Sequence, residues 1–437
     1  IEVLESVRDN RNTAVPSCHN AGKAVVLDTP LPTPTGWTTM QDVRVGDLLL
    51  DEHGRPVPVI ACSEVHERPT FRITFSDGST VDAADTHTWR TVDLRSRPRN
   101  SKHGDDKSVV DWRNAWWATR KVTTEYLSRT VESNKQKRWR IPTAWALKGV
   151  HPWVWAHEPY LIGLWLGDGT TSAAMLTCSR EDTKHYVSKI RKKLRVVPRI
   201  VARWYKPTVH TIVFDRMKLG CPGRYLGGKR IPQGMLRASW RDRLDLLRGL
   251  MDTDGNRSRS ASVEIAVCSK DLADGIAELV ISFGWVARRS SRPAKLYGRV
   301  VGTSYRVWFT PTINPFSLPR KANVWERENA VISSGRTRRT QRTIVSVEPL
   351  GIHKVKCVQV ASRRHLFLVG RSMIPTHNSF LCGILPWWWM LCHSPAKVIL
   401  VSSSGRQATR IGGSEVRARY EYFRQQFSEH ELELLYL

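Results

Sequence analysis

The sequence predicts a multidomain protein in which one all-β module is divided around an α/β domain. Short strand candidates separated by Gly, Pro and Asp-Gly turns fill residues 25–89, and the same pattern returns at 343–375. Between them, residues 159–325 alternate helical and strand patterns in two similar halves, each opening on a short apolar helix that ends in Asp-Gly. The chain of 437 residues is long enough for two or three hydrophobic cores.

The chain is strongly basic. It has 68 Lys and Arg against 40 Asp and Glu, a net charge of +28 at pH 7, which favours a polyanionic partner, most simply nucleic acid. Its eight cysteines form no CxxC pair, so we expect neither a disulfide framework nor a zinc site, but a reducing cytoplasm, that of a bacterial cell. There is no signal peptide and no apolar run long enough to span a membrane, so no membrane partner is expected.

Changes in composition divide the chain into six predicted segments. The segment 96–155 is basic with interleaved Trp, and we expect a helical or loop insertion there. The predicted segments are 1–23 (first flank), 24–95 (first part of the β module), 96–155 (basic insertion or linker), 156–330 (α/β domain), 340–378 (second part of the β module) and 379–437 (second flank).

The two flanks form a phosphate-binding loop only when they are joined. Joining residue 23 to residue 379 gives Gly22-Lys23-Ser379, in which the Lys would reach the outer phosphates and the hydroxyl would bind Mg²⁺. Ser17 stands where the usual motif has its first Gly. The joined flanks resemble the large subunit of viral terminases. This resemblance implies fragments of a P-loop α/β ATPase of a phage, which would bind ATP and Mg²⁺ through these three residues after joining, as part of an oligomeric DNA-packaging motor.

The end of the middle segment has the residues that peptide splicing needs. It reads Thr376-His377-Asn378, followed by Ser379. An Asn can cyclise onto its own carbonyl, the neighbouring His can polarise that carbonyl, and the hydroxyl beyond can accept an acyl group. Together with the strand candidates upstream, this junction resembles the end of an intein. The resemblance implies that residues 24–378 adopt the all-β Hint (hedgehog/intein) splicing fold and excise themselves without a cofactor.

The start of the middle segment departs from the commonest intein pattern, because Ala24 stands where most inteins carry Cys or Ser. A subclass uses an internal Cys instead, together with a Trp two residues after the catalytic His and a Thr near the end. His87, Trp89, Cys357 and Thr376 match these markers.

The resemblance to this subclass implies a sequence of steps. The Cys357 thiolate would attack the carbonyl of Lys23, while His87 polarises the amide and helps to protonate the amine of Ala24. Ser379 would then take the acyl group, and Asn378 would cyclise with help from His377, which leaves Lys23 joined to Ser379. Two alternatives stay open: Cys357 as a buried small hydrophobic residue, or a degenerate intein that has lost its first Cys.

The α/β domain carries a repeated motif, Leu161–Gly169 and Leu247–Gly255. Small residues four apart, Gly163 and Gly167 in one copy and Gly249 and Thr253 in the other, predict two helices in close contact. Gly169 and Gly255 are expected to end the helices in left-handed turns. Asp168 and Asp254 would then lie side by side, where they need a cation, and Mg²⁺ shared by two acids suits phosphodiester hydrolysis.

These two copies resemble the motif of LAGLIDADG homing endonucleases. The resemblance implies two pseudo-symmetric αββαββ halves in a monomeric endonuclease that straddles a long asymmetric site in double-stranded DNA, the host gene without its insertion. Lys229 would stabilise charge, although a solvated cation is the alternative. The basic segments 95–140 and 286–299 would add phosphate contacts.

Three functions therefore stay open. The first is a bifunctional intein precursor, which splices itself and cleaves DNA. The second is a homing endonuclease inside a relic that no longer splices. The third is an ordinary multidomain packaging enzyme with an insertion, which a phosphate-binding loop broken between Lys23 and Ser379 speaks against.

Overall fold

A computed structural model describes residues 23–96, 119–133, 136–149, 158–170, 175–203, 206–213, 229–258, 262–333, 340–362, 364 and 366–377. The predictions for Gly22, Asn378, Ser379 and the joined flanks lie outside these residues. Among the helices that the structure describes, none is long and apolar enough to cross a membrane.

The described part of the chain contains six α-helices, two 3₁₀ turns and 23 strands. The helices are α1 (Thr124–Thr130), α2 (Pro159–Asp168), α3 (Arg180–Leu194), α4 (Trp240–Thr253), α5 (Lys270–Ile281) and α6 (Pro319–Ser333), with 3₁₀ turns at Leu94–Ser96 and Gln233–Arg237. The strands are β1 (Val25–Val26), β2 (Pro30–Pro32), β3 (Trp37–Thr39), β4 (Leu48–Leu50), β5 (Pro56–Cys62), β6 (His66–Phe75), β7 (Thr80–Ala84), β8 (Thr88–Asp93), β9 (Arg120–Thr123), β10 (Glu132–Ser133), β11 (Gln136–Lys137), β12 (Trp139–Pro142), β13 (Met175–Ser179), β14 (Arg199–Arg203), β15 (Lys206–Val213), β16 (Gly255–Arg257), β17 (Val263–Val267), β18 (Arg288–Leu296), β19 (Arg299–Phe309), β20 (Gln341–Lys356), β21 (Val358–Val360), β22 (Leu366–Val369) and β23 (Ile374–His377).

The β module is built around a seven-stranded sheet with the order β1-β7-β6-β20-β12-β8-β9. The long strand β20 comes from the second part of the module and pairs antiparallel with β6 from the first part, with Val347 opposite Ile73. A second sheet repeats this exchange, because β21 pairs with β5. The two parts of the module therefore form one fold with one buried apolar core, as the sequence predicts.

Two strands of the segment 96–155, β9 and β12, belong to this sheet, whereas the sequence predicts a helical or loop insertion there. Strand β12 lies between β8 and β20, with Arg140 opposite Val92 on one side and Thr343 on the other. Trp139 and Ile141 are buried in the core on either side of Arg140. This is the period of two that a strand requires. The basic composition of the segment hides this alternation, since Arg138 and Arg140 occupy the positions between the apolar residues.

The α/β domain packs α2 against α4 and flanks them with two sheets, β13-β15-β14 and β16-β17-β19-β18. Its second half runs α4, β16, β17, α5, β18, β19, which is the expected αββαββ order. In the first half a single bridge between Gly169 and Leu176 stands where the second half has the pairing of β16 with β17. Residues 171–174 lie outside the described part.

The turn between β2 and β3 contacts the α/β domain through one arginine. Arg237 is 2% exposed, and its guanidinium donates to the carbonyls of Thr33 and Gly36 at 2.9 and 2.8 Å and to the Glu278 carboxylate at 2.7 Å. The indole N–H of Trp37 donates to the same carboxylate at 3.0 Å. Charge-assisted bonds of this kind are about twice as strong as neutral ones, so they tie the two units together.

Candidate functional sites

The predicted first splice junction lies beside Cys357 because of strand register. Val25 pairs with Ala83 on one side and with Lys356 on the other, so the residue before Val25 meets the residue after Lys356. Ala24, at 1% exposed, forms a buried cluster with Cys357 and two neighbours, Ala84 and Val355. The Lys23–Ala24 peptide bond therefore adjoins the Cys357 side chain.

Cys357 occupies the joint between β20 and β21. Its backbone N–H donates to Ser63 Oγ at 2.9 Å, and its carbonyl accepts from the Ser63 N–H at 2.9 Å. The side chain is 4% exposed. Burial raises the pKa of the Cys357 thiol to about 12, and the nearby Lys23 ammonium opposes this rise. At neutral pH the resting group is therefore a thiol, held in place by a fixed backbone.

His87 is fully buried and lies at the centre of this group of residues. Its Nε2 lies 2.5 Å from Thr376 Oγ1, and its ring centroid is 4.6 Å from that of Trp89. Burial lowers the pKa of His87 to about 3, against the opposing effect of the Lys23 backbone. The imidazole is therefore neutral at physiological pH and can accept or pass on a proton.

Thr124, which the sequence reasoning missed, holds the His87 and Trp89 side of the site. The indole N–H of Trp89 donates to Thr124 Oγ1 at 2.9 Å, and the Thr124 hydroxyl donates to the carbonyl of His87 at 3.2 Å. Thr124 is the first residue of α1, in the segment that was expected to be an insertion. Its role follows from the pairing of β8 with β9, which no sequence signal indicates.

Described residues from both predicted junctions meet in this site. His377 ends β23, which pairs with β22 so that Thr376 lies opposite Phe367. Lys23 Nζ lies 3.2 Å from His377 Nδ1, although the two residues are 354 positions apart. Lys23 and His377 are 2% and 4% exposed. Seven of the predicted splicing residues therefore come together: Lys23, Ala24, His87, Trp89, Cys357, Thr376 and His377.

The second site lies where α2 and α4 end. A Cβ added to Gly163 would lie 2.9 Å from Gly249 Cα, and one added to Gly249 would lie 2.9 Å from Gly163 Cα. One added to Gly167 would lie 2.7 Å from Thr253 Cβ. An added Cβ at any of these glycines would therefore clash with the other helix. The backbones of α2 and α4 are in direct contact, as the spacing of small residues predicts.

The expected left-handed turns after the two helices are wrong. Gly169 has φ −76° and ψ 152°, which is extended backbone, and Gly255 begins β16. The glycines are required for a different reason. A Cβ on Gly169 would lie 2.7 Å from Trp165 Cγ, and one on Gly255 would lie 2.5 Å from the Met251 carbonyl oxygen. The lack of a side chain lets the chain turn directly from helix into strand.

The close packing of α2 and α4 determines the positions of Asp168 and Asp254. A Cβ on Gly167 would lie 3.2 Å from Asp254 Oδ2, so this carboxylate reaches the end of the other helix. Burial and then the charge of Asp168 raise the pKa of Asp254 to about 6. Burial also raises the pKa of Asp168, against Lys229. A buried carboxylate whose proton affinity is raised by a second carboxylate favours a bound cation.

Lys229 lies with these acids. Its ammonium donates to the Gly167 carbonyl at 2.5 Å and lies 5.8 Å from the ring centroid of Trp165. Burial lowers its pKa, and the charges of Asp254 and Asp168 oppose this effect. A partly buried lysine with fixed partners differs from the freely solvated cation that the sequence left open.

Lys321 and Asp252 complete this end of the domain and were missed in the sequence. The Lys321 ammonium donates to the carbonyls of Asp252 and Gly255 at 2.7 and 2.8 Å. The Asp252 carboxylate accepts from the Tyr160 hydroxyl at 2.7 Å. Asp252 lies within the repeated motif, but its hydrogen-bond partners come from other elements. Only the fold shows that Asp252 joins α4 to α2 and to the chain before α6.

The two carboxylates fit a hard divalent cation. Magnesium is bound through a few carboxylate oxygens and keeps several other oxygen ligands. Asp168 and Asp254 would hold it, with further ligands from DNA phosphate and water. Among the described residues there is no cluster of three or more His, Cys, Asp or Glu side chains that could form an all-protein cage.

The comparisons with known proteins bear on both parts. Residues 242–314 match the family model of the LAGLIDADG-like domain. The fold and this match define the class: the chain contains a LAGLIDADG-like domain within a divided β module. The prediction of such a domain is confirmed for these residues.

The chain is also similar in sequence to a named protein. The chain is 35% identical over 364 residues to replicative DNA helicase DnaB of Mycobacterium intracellulare, which covers 82% of the chain and 59% of the relative. The chain thus spans less than two thirds of that relative's length. The expected terminase of a phage is not supported by this relative, because it is named a helicase.

The solved structures that are similar to this chain include an intein splicing domain and a homing endonuclease. The crystal structure of the Msm DnaB1 intein splicing domain bound with zinc is 16% identical and covers 81% of this chain and 100% of its own, with a TM-score of 0.25. The crystal structure of the homing endonuclease I-DmoI in complex with DNA and Ca is 14% identical and covers 39% of this chain and 97% of its own, with a TM-score of 0.28.

Proposed function

We propose that residues 24–378 are a self-splicing intein whose α/β domain is a homing endonuclease. One observation carries the splicing part. The described residues at the two junctions lie in one buried site, with Lys23 Nζ 3.2 Å from His377 Nδ1 and Ala24 packed with Cys357. A protein that removes its middle segment needs this proximity, because the acyl group must pass from one junction to the other.

The first step forms a thioester. The Cys357 thiolate attacks the carbonyl carbon of Lys23, a C–S bond forms, and the C–N bond to Ala24 breaks. The thiol proton is transferred by way of His87 to the leaving amine of Ala24. Neutral His87 suits this transfer, because it can take the proton and return it. Thr376 orients the ring through Nε2.

The later steps join the flanks. The Ser379 hydroxyl attacks the thioester, a C–O bond replaces the C–S bond, and the proton returns to Cys357. The Asn378 side-chain nitrogen then attacks its own carbonyl carbon and closes a succinimide. The bond to the Ser379 nitrogen breaks, and the proton lost by the Asn378 nitrogen passes to the leaving Ser379 amine. That amine takes the acyl group from its own oxygen, and Lys23 is joined to Ser379 by a peptide bond.

Replacing the nucleophile tests the splicing proposal. We expect Cys357→Ala to form no joined flanks, while the unaltered chain gives an excised 24–378 segment and joined flanks in intact-mass spectra. Cys62→Ala is the matched control, because Cys62 lies on β5, is only partly buried, and takes no part in the proposed steps. Ligated flanks from Cys357→Ala would refute this assignment.

The endonuclease part rests on the acids at the ends of α2 and α4. Bound Mg²⁺ would activate a water and stabilise the charge that develops on the phosphate. Asp168 and Asp254 would hold that cation, and Lys229 places a positive charge beside them. The strands that face DNA in this class supply cations here, such as Arg288 and Arg292 on β18.

Conservative changes test this activity separately. We expect Asp254→Asn to abolish cleavage of a plasmid that carries the uninterrupted host sequence, with splicing unchanged. The exposed pair on α5 offers a control, Asp274→Asn, which removes a carboxylate whose ion-pair partners are Lys270 and Arg289. Cleavage that persists at wild-type rate in Asp254→Asn, in the presence of Mg²⁺, would contradict the metal site.

For the host we propose an ATPase that binds ATP and Mg²⁺ through Gly22, Lys23 and Ser379 once they are joined. The named relative favours a replicative helicase as host, and the terminase and its oligomeric packaging motor are not supported. Its match covers 82% of the chain, about the share taken by 24–378, so it informs mainly on the inserted segment. Nucleotide binding by ligated but not by unspliced chain tests the loop.

A further inference from the structure

The Lys23 side chain has a place in the splicing site that none of the proposed steps uses. Its carbonyl is the electrophile, yet its ammonium extends to the opposite junction and contacts His377 Nδ1 at 3.2 Å. Both side chains are almost fully buried. A lysine at the end of a flanking segment would ordinarily extend into water, so its burial against His377 calls for a chemical reason.

The direction of this hydrogen bond is fixed by the chemistry of lysine. An ammonium has three donors and no acceptor, so Nδ1 must accept and the remaining proton of a neutral imidazole must be on Nε2. A proton on Nδ1 would face an ammonium at 3.2 Å in a buried place. Two like charges at this distance disfavour each other strongly. While Lys23 stays, His377 is therefore held neutral and its Nδ1 is occupied.

The position of Lys23 depends on an intact first junction. Its main chain continues into Ala24, whose carbonyl accepts from the Ala84 N–H at 3.0 Å, and then into β1, which is held by β7 and β20. Once the bond between Lys23 and Ala24 is broken, this anchor no longer restrains Lys23. The residue then moves with the acyl group, first to Cys357 and next to Ser379.

We propose that the Lys23 ammonium withholds His377 from the Asn378 step until the first junction has been cleaved, so that the second junction is cleaved last. This inference rests on the proposed splicing function and adds to it a positioning residue that belongs to the flank. The order matters because cleavage at Asn378 before acyl transfer would release the second flank without joining it. The contact therefore links the state of one junction to the chemistry of the other.

The test isolates the second junction by blocking the first. In the full-length Cys357→Ala chain, where Lys23 cannot leave, release of residues 379–437 should be slow. In Cys357→Ala with Lys23→Met, a neutral residue of similar length, release should be about tenfold faster or more, as for loss of a hydrogen bond to a charged group. Lys23→Arg in the same background keeps a cation and should stay slow. The rates are measured by intact mass over time.

Several controls separate the outcomes. Adding Asn378→Ala to the Met variant should stop the release, which shows that the release is Asn378 chemistry. Lys23→Gln is a second neutral variant and should behave as Met does, and thermal unfolding verifies that each variant folds. The inference would be overturned if chains with Lys, Met or Gln at position 23 released residues 379–437 at the same rate. It would also be overturned if Lys23→Arg accelerated the release as much as Lys23→Met does. The proposed splicing function fails in a different way, through ligation by Cys357→Ala itself.

Discussion

The two sites of this chain solve opposite electrostatic problems. In the β module, burial keeps the reacting groups uncharged, since it lowers the pKa of His87 to about 3 and raises that of Cys357 to about 12. In the α/β domain, two carboxylates and two lysines are concentrated at the helix ends, and burial raises the pKa of both Asp168 and Asp254. The first site suits proton transfer between neutral groups, and the second suits a bound cation.

The sites also differ in what positions them. Strand register brings together residues such as Ala24, Cys357 and His377, which lie far apart in the chain. The second site depends on glycines spaced within one helix turn, which let two helices touch. Changes to a buried pair in the sheet and to a helix glycine should therefore affect one site and leave the other intact.

The largest effect is expected at the ion pair inside the β module. Arg342 Nε lies 2.6 Å from Asp77 Oδ2, with both side chains at most 2% exposed. Asp77→Asn leaves Arg342 as an uncompensated buried charge, and we expect unfolding to become easier by about 3–5 kcal/mol. Chemical denaturation of the β module should detect this loss, together with slower splicing.

The control for this change is the exposed pair on the same sheet. Arg72 and Asp82 are 2.7 Å apart but are 47% and 22% exposed. Such pairs contribute about 0–1 kcal/mol, so Asp82→Asn should be nearly silent. A similar loss of unfolding free energy in Asp77→Asn and Asp82→Asn would mean that burial does not make the Arg342 pair more important for stability.

The next effect is expected in the helix pair. Gly249→Val places branched carbon atoms where Gly163 Cα already lies within 2.9 Å of an added Cβ. The helices must separate, at a cost of about 2–3 kcal/mol, and DNA cleavage should be lost while splicing persists. Nuclease and splicing assays on the same preparation check this.

A second glycine provides the matched control. An added Cβ on Gly275 in α5 meets Ile231 Cβ at 3.4 Å, close to ordinary contact. Gly275→Ala should therefore fold as well as the unaltered chain or slightly better, because Ala is the better helix former. If Gly249→Val cleaves DNA normally, backbone contact between the helices does not control the second site.

The pH dependence of stability should report on His87. Its pKa of about 3 in the folded chain lies below the ordinary value of 6.5. As pH falls below 6.5 the unfolded chain takes up the proton first, so the contribution of His87 to stability is complete above pH 6.5 and is lost between pH 6.5 and 3. At pH 5 this loss is about 2 kcal/mol.

A variant without the titrating group measures this contribution. His87→Gln should show a smaller fall in unfolding free energy between pH 7 and pH 5 than the unaltered chain, by about the same 2 kcal/mol. Parallel curves for the two chains would show that His87 does not remain neutral in the folded state.

The smallest effect is expected at the contact between the two units. Arg237→Met removes the bonds to the Thr33 and Gly36 carbonyls and to Glu278. Trp37 still donates to that carboxylate, so we expect a loss of about 1.5 kcal/mol. Splicing and cleavage should both survive, and hydrogen exchange in the turn between β2 and β3 should increase. Unchanged exchange would argue that Arg237 does not hold the turn.

Much of both sites could be predicted from residue types, because His87, Trp89, Cys357 and the two aspartates stand in recognisable local patterns. What could not be predicted depends on partners from distant strands. Thr124 and Lys321 act through the pairing of β8 with β9 and the placement of α6, neither of which leaves a sequence signal. The sequence predicts left-handed turns after Asp168 and Asp254, and this prediction is wrong. Glycine is needed there because the backbone passes close to its neighbours, and a sequence does not distinguish this need from a positive φ.

The position of β12 has a practical meaning for anyone who wishes to shorten this chain. The strand belongs to the seven-stranded sheet, and Trp139 fills the core of the β module. A deletion of the α/β domain that started at residue 96 would remove β9 and β12 and open the sheet. A minimal version should instead keep the chain to about residue 147, resume at 340, and replace Trp37, whose partner Glu278 would be gone.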